Sequence, residues 1–208
     1  MFKKTNTPEY HIDKASELMD KGKYQKAAEI LKPYAEEGYV IAMLYYANCL
    51  MQTDLYHFNE AIGWILEAKE AVDDPDIQSY ADDLLSCISD NVKKQFAMGE
   101  KALAENRVKE AMEWYTLAAE NNHRKAMYAL ADLYENKYVS MNMDEGLKLA
   151  IKWYTAAAEL GHVESMCKLG RIYHLGKYYD LEKAAYWYRQ AADRGDLASR
   201  DILELLNK

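Results

Sequence analysis

Ala111-Met112-Glu113-Trp114-Tyr115-x-x-Ala118-Ala119, Ala150-Ile151-Lys152-Trp153-Tyr154-x-x-Ala157-Ala158 and Ala184-Ala185-Tyr186-Trp187-Tyr188-x-x-Ala191-Ala192 are one text written three times. Their tryptophans stand 39 and 34 residues apart. A text that recurs at such a period describes a row of helical pairs, each burying its apolar face on its neighbours and not around one central pocket. More worn copies precede it. Ala61-Ile62-Gly63-Trp64-Ile65-x-x-Ala68 lies 50 residues before the Trp114 copy, and Ala27-Ala28-Glu29-Ile30 lies 34 before that, so five copies are readable.

A second text occupies the segments between them. Ala126-Met127-x-x-Leu130-Ala131-x-x-Tyr134 matches Ser165-Met166-x-x-Leu169-Gly170-x-x-Tyr173, and Ala42-Met43-x-x-Tyr46-Ala47-x-x-Leu50 is a third version. Large residues at this spacing form a helical stripe. The small residue beside it (Gly170, Ala131, Ala47) marks a close approach of two helices. Each repeat therefore reads as an antiparallel helix pair in which small residues of one helix receive aromatics of the other. Gly38, Asn122, Gly161 and Gly195 each stand eight residues after the Trp position, where a helix ending in a left-handed cap favours Gly or Asn. No strand pattern occurs, so the chain is expected to be all-α.

The pairing of A-x-x-x-L-G-x-x-Y with A-x-x-W-Y-x-x-A-A-x-x-G resembles the Sel-one-like repeat family, a branch of the tetratricopeptide repeat superfamily. The likeness is close over residues 109–206 and nearer to a general tetratricopeptide pattern over residues 10–74. It implies a right-handed superhelical α/α solenoid of about five antiparallel helix pairs used for protein–protein interaction, often as an adaptor in bacterial signalling or envelope processes. It implies no catalytic residues and no cofactor.

The Trp64 copy departs from the pattern. Val72-Asp73-Asp74-Pro75 replaces its trailing Gly, and the next copy comes 50 residues later where 34 would be regular, a delay of 16. Residues 76–91 read as one extra inserted helix that starts at Asp74-Pro75-Asp76 and carries Ile77, Tyr80, Ala81, Leu84, Leu85 and Ile88 on its apolar face. Ser89-Asp90-Asn91 is a helix-start signal, so a break near Asn91 is preferred over one helix from Asp76 to Glu105. The chain is thus expected to form a single solenoid domain, 1–208. It comprises looser repeats over 10–74, an inserted and a connecting helix over 75–106, and the regular repeats with a C-terminal cap over 107–208. The last helix, Leu197 to Asn207, has an apolar side and a wetted one, as a terminal cap requires.

At 208 residues and 50% hydrophobic, the chain can bury an elongated core, and three prolines and nine glycines leave no room for a flexible linker. Met1 to Pro8 offers two lysines but no apolar run behind them, and no stretch of 18 apolar residues occurs, so a cytoplasmic protein with a frayed start is expected. Cys49, Cys87 and Cys167 lie far apart and read as buried small hydrophobes. A net charge of −8 argues against nucleic acid or acidic membranes as partners and suits a protein or peptide, possible basic character included.

Chemistry leaves little trace. His11, His57, His123, His162 and His174 contain no i,i+4 pair and no His-Glu-x-x-His, so no metal site is expected; His123 and His162 read as polar turn residues. No phosphate-cradling loop and no Gly-x-Ser-x-Gly elbow is present. Acidic residues stand beside lysines at helical spacing, as in Glu105 with Lys109, which describes a solvated face. Trp114, Trp153 and Trp187, with Tyr134 and Tyr173, read as inter-helix packing, each Trp worth about 3–5 kcal/mol on truncation.

Function is then expected where packing leaves side chains free. The related tetratricopeptide architecture implies a concave groove lined by the first helix of each pair. Carried over, the register gives Leu44, Asn48 and Met51, then Lys94, Met98 and Lys101, then Tyr128, Asp132 and Glu135, and finally Cys167, Arg171 and His174. Adaptable apolar groups beside Tyr and both signs of charge suit an extended peptide or a partner helix. The leading expectation is a non-catalytic scaffold binding a partner segment there. An immunity protein or inhibitor neutralising one partner, such as a bacterial toxin, is the alternative; an enzyme or small-molecule sensor is the weaker one.

Overall fold

The structure, a computed structural model, describes residues 7–53, 58–136 and 143–206; His57, Asn207 and the first six residues lie outside them. The described residues form eleven helices and no strand. In order these are α1 (Pro8–Asp20), α2 (Tyr24–Glu36), α3 (Val40–Thr53), α4 (Phe58–Ala71), α5 (Pro75–Ala104), α6 (Val108–Glu120), α7 (Arg124–Asn136), α8 (Met143–Glu159), α9 (Val163–Leu175), α10 (Leu181–Ala192) and α11 (Leu197–Leu206). Residue contacts gather into two compact units, Met1–Val92 and Lys93–Lys208. Within each unit helices pack mainly on their sequence neighbours, as in a solenoid.

Expected corners are confirmed by backbone geometry. Gly38, Asn122, Gly161 and Gly195 take φ of 92°, 61°, 83° and 96°. At Gly161 the His162 N–H donates to the Ala157 carbonyl (3.0 Å) and the Gly161 N–H to that of Ala158 (2.8 Å). Asn122 and Gly195 close the same double bond onto Ala118 and Ala119 and onto Ala191 and Ala192. The Ala-Ala pair that ends each text therefore supplies the carbonyls of a Schellman cap.

The helix contact also follows the text, with one correction. The aromatic that fills the small-residue notch is the Tyr after the Trp. Tyr115, Tyr154 and Tyr188 are buried, whereas Trp114, Trp153 and Trp187 are only half-buried. A Cβ added at Gly170 would stand 2.6 Å from the Tyr188 ring, and one at Gly99 would stand 2.5 Å from that of Tyr115. Tyr154 lies in a core with Ala131, Ala150, Ala158, Met166, Leu169 and Ile172. The large truncation cost expected of the tryptophans, about 3–5 kcal/mol, belongs to these tyrosines.

Helix α5 runs unbroken for 30 residues, contrary to the preferred break near Asn91. Asp74 caps it as read: its carboxylate accepts from the Asp76 N–H (2.9 Å) and the Ile77 N–H (3.2 Å), with Pro75 in the first turn. Ser89-Asp90-Asn91 does not restart the helix because the buried stripe runs through it. Ala81, Leu84, Ile88, Val92, Gln95, Gly99 and Ala102 keep helical spacing, and that packing outweighs a weak capping signal. Among the cysteines, Cys49 is buried, Cys167 half-buried and Cys87 exposed, so only the first fits the small-hydrophobe reading fully. Helix α11 leaves Leu197 and Leu205 exposed, while Ser199 is buried and its N–H donates to Asp196 (2.7 Å).

His123 and His162 do more than decorate corners. The His123 ring packs at a tilt on Phe96 with centroids 4.6 Å apart, and His162 on Tyr128 at 5.0 Å. His123 Nδ1 accepts from the Ala126 N–H (3.2 Å), and His162 Nδ1 meets Ser165 Oγ at 3.0 Å. Burial pulls both imidazoles below the ordinary histidine value; Lys125 and Arg124 add to this at His123, while Glu164 opposes it at His162.

Two outcomes follow from this packing. Gly170→Ala should lower the unfolding free energy of its unit by about 1–3 kcal/mol, because the Tyr188 ring has nowhere to go. Gly63→Ala, where the added methyl meets nothing within 4 Å, should raise stability by up to about 1 kcal/mol; urea unfolding of both variants checks the contrast. For the histidines, a depressed folded-state pKa means stability is fully present above the unfolded value of 6.5 and is lost as pH falls through the lowered folded values. A His123→Phe/His162→Phe variant should lose less stability than wild type between pH 7.5 and 5, and parallel profiles would refute the burial argument.

Candidate partner-binding site

In the first unit, α3 carries one residue of the expected groove to a surface and buries two. Leu44 and Met51 are core residues, 1% and 8% exposed. Helix α3 is apolar almost all round and is packed by α2, α4 and α1, so it has little free face. Its charge-free run, Val40 to Met51, was the signal for this. Asn48 is half-buried and donates from Nδ2 to the Tyr80 hydroxyl (3.0 Å). It stands in an open cleft of about 450 Å³ with Ser16, Met19, Asp20, Tyr24, Tyr45 and Tyr80. Tyr45 meets Tyr80 edge to face, centroids 6.2 Å apart.

On α5 the expected register is displaced by two residues. Gly99 is the counterpart of Gly170, since each receives a Tyr of the following helix. The positions equivalent to Tyr128, Asp132 and Glu135 are therefore Phe96, Glu100 and Leu103. Lys94, Met98 and Lys101 are exposed but lie about 100–200° round the helix from Gly99. Phe96 supports the alignment by packing at a tilt on Tyr115 (5.6 Å) and His123, as Tyr128 does on Tyr154 (5.6 Å) and His162.

In the second unit, α7 and α9 bring the expected residues together. Lys168 Nζ lies 3.0 Å from Asp132 Oδ1 and 3.1 Å from Glu135 Oε2. Arg171 reaches Glu135 Oε1 at 3.3 Å, and the Tyr154 hydroxyl donates to Glu135 Oε2 (2.8 Å) from below. Lys168 was missed because it adjoins the buried Leu169 and reads as an ordinary surface lysine; its Nζ, which joins both carboxylates, lies over the Tyr154 ring, 5.7 Å from the centroid. Burial pulls its pKa down, but hydrogen bonds to Asp132 and Glu135 outweigh that and leave it raised. Burial, then Glu135, raises Tyr154, which stays a neutral phenol. His174 stands apart, edge-on to Tyr188 at 6.1 Å, and Cys167 Sγ meets Ser199 Oγ at 3.5 Å.

This face bears both charges in one ion-pair network. A lysine held protonated between two carboxylates is a poor general base. Among the described residues no group of three or more His, Cys, Asp or Glu is placed to hold a metal. No described helix is long and apolar enough to cross a membrane. A separate cleft of about 500 Å³ beside α8 and α10 holds Lys148, Lys177 and Lys183, but Asp144 and Asp180 already pair with them, Lys177 with Asp144 at 2.7 Å and Lys183 with Asp180 at 2.9 Å.

Residues 98–123, 124–162 and 163–196 match the Sel1 repeat. No curated protein matches the chain significantly. Among solved structures it is similar to a Sel1 repeat protein from Oxalobacter formigenes, at 23% identity and TM-score 0.44, covering 96% of this chain and 78% of that one. It is similar also to a protective antigen of uropathogenic Escherichia coli strains displaying an SLR fold, at 20% identity and TM-score 0.46, covering 96% of this chain and 56% of that one. A third is an immunity protein from Pseudomonas aeruginosa, at 18% identity and TM-score 0.34, covering 93% of this chain and 69% of that one. The matched spans contain the three Trp-Tyr texts and end on Asn122-His123, Gly161-His162 and Gly195-Asp196. Over residues 98–196 the chain is a run of three Sel1 repeats.

Proposed function

We propose that the chain is a non-catalytic adaptor that holds a segment of a partner protein against the first helices of its repeats. Sel1 repeats generally mediate protein–protein interactions. The observation that carries the reading is the α7–α9 network. Asp132, Glu135, Lys168 and Arg171 form one ion-pair network over the buried Tyr154, whose hydroxyl donates to Glu135. Side chains already ordered lose little entropy when a partner arrives, so such a face can spend its hydrogen bonds on specificity. The three free cysteines suit a reducing compartment such as the cytoplasm, and the net charge of −8 suits a basic partner.

Peptides selected from a displayed library on the full chain, measured against wild type and an Asp132→Lys/Arg171→Glu variant of matched helicity, test the reading. Binding should weaken at least tenfold in the variant, about 1.4 kcal/mol or more. Equal binding by both proteins would remove the α7–α9 face from the site. One protein held one-to-one, far more tightly than any displayed peptide, would favour a dedicated neutraliser instead.

A further inference from the structure

The cleft at the start of the chain differs in chemistry from the α7–α9 face. Three phenol rings line it, Tyr24, Tyr45 and Tyr80, and its one charged lining residue is Asp20. Neither Lys21 nor Lys23 in the adjoining turn lines it, and Lys21 is engaged by Glu17 at 3.7 Å. The Asp20 carboxylate is exposed and, among the described residues, has no ion-pair partner. It is also the last residue of α1, where the helix dipole adds partial negative charge.

We propose that this cleft binds a cationic side chain, the ammonium of a lysine or the guanidinium of an arginine, presented by the partner segment. The Tyr45 and Tyr80 rings meet edge to face at 89° where both line the cleft, and an aromatic face attracts a cation. Asn48 fixes the second ring by donating to the Tyr80 hydroxyl (3.0 Å), and Asn48 also lines the cleft. Asp20 supplies the counter-charge at the rim. The volume, about 450 Å³, and the open mouth fit the end of a long side chain that arrives attached to a backbone. The inference deepens the partner-segment reading and rests on it; a free organic ammonium would satisfy the same groups, and the test separates the two.

The test is an amide-resonance titration of the full chain with acetyl-lysine methylamide, acetyl-arginine methylamide, neutral acetyl-norleucine methylamide and tetramethylammonium chloride. The lysine or arginine probe should shift resonances of residues 16–24, 45–48 and 80, norleucine should not, and Asp20→Asn should weaken binding by about fivefold or more while leaving the spectrum otherwise intact. Tyr45→Leu should weaken it too, with norleucine still inert. Shifts of equal size with norleucine, affinity untouched by Asp20→Asn, or no shift with any probe would overturn the proposal. Binding of tetramethylammonium alone would overturn the side-chain occupant in favour of a free cation. Display-selected segments that bind wild type and Asp20→Asn equally would end this inference while leaving the segment reading standing; a wild-type chain that selects no segment at all would end that reading whatever the lysine probe does.

Discussion

In two of the three Sel1 repeats a tyrosine ring lying on a residue with no side chain sets the distance between the two helices, and in the third Ala131 takes that place. Where Gly99 and Gly170 face Tyr115 and Tyr188, a single methyl group would collide with the ring, so the contact has essentially one geometry. Helices held that closely exclude water from their shared seam, and this is why alanine fills so much of the core: Ala111, Ala118, Ala126, Ala150, Ala157 and Ala184 are all fully buried. The neighbouring tryptophans, half-buried, cover the seam and do not form it.

The same contact explains what could and could not be read from the sequence. Helix pairs, corners and the cap of α5 were legible, since each rests on local chemistry repeated at a fixed spacing. The continuity of α5 was not, because Ser89-Asp90-Asn91 satisfies a local rule that burial of Val92 and its stripe overrides. Leu44 and Met51 were misassigned for a different reason: a repeat register carried onto a helix packed on three sides points its free positions into the core. Lys94, Met98 and Lys101 failed by a slip of two residues, which Gly99 would have corrected had it been matched to Gly170.

Of the α7–α9 face, Tyr128, Asp132, Glu135 and Arg171 were legible, and Lys168 was not. A lysine beside a buried leucine carries no mark in the sequence of the two carboxylates it will meet from another repeat, 33 and 36 residues away. Long-range charge pairing of this kind is set by the stacking of repeats, and periodicity alone reports the stacking without naming the pairs. The cleft of the first unit shows the same limit, since its tyrosines come from three helices whose worn repeats share no common letter there.

The corners of the array are of two sorts. Those leading from a second helix to the next first helix, at Gly38, Asn122 and Gly161, are closed by three residues whose N–H groups are committed to the Ala-Ala carbonyls or their counterparts. Those inside a pair vary, from the short turn at Gly22 to the longer stretch between Asn136 and Met143. A corner inside a pair is therefore one place where such a chain can lengthen, and the 30-residue α5 shows that a helix is another. The 39-residue spacing beside the 34-residue one records such an addition, and grafted epitopes or reporter loops would be accommodated at the same corners without disturbing the register of the helices on either side.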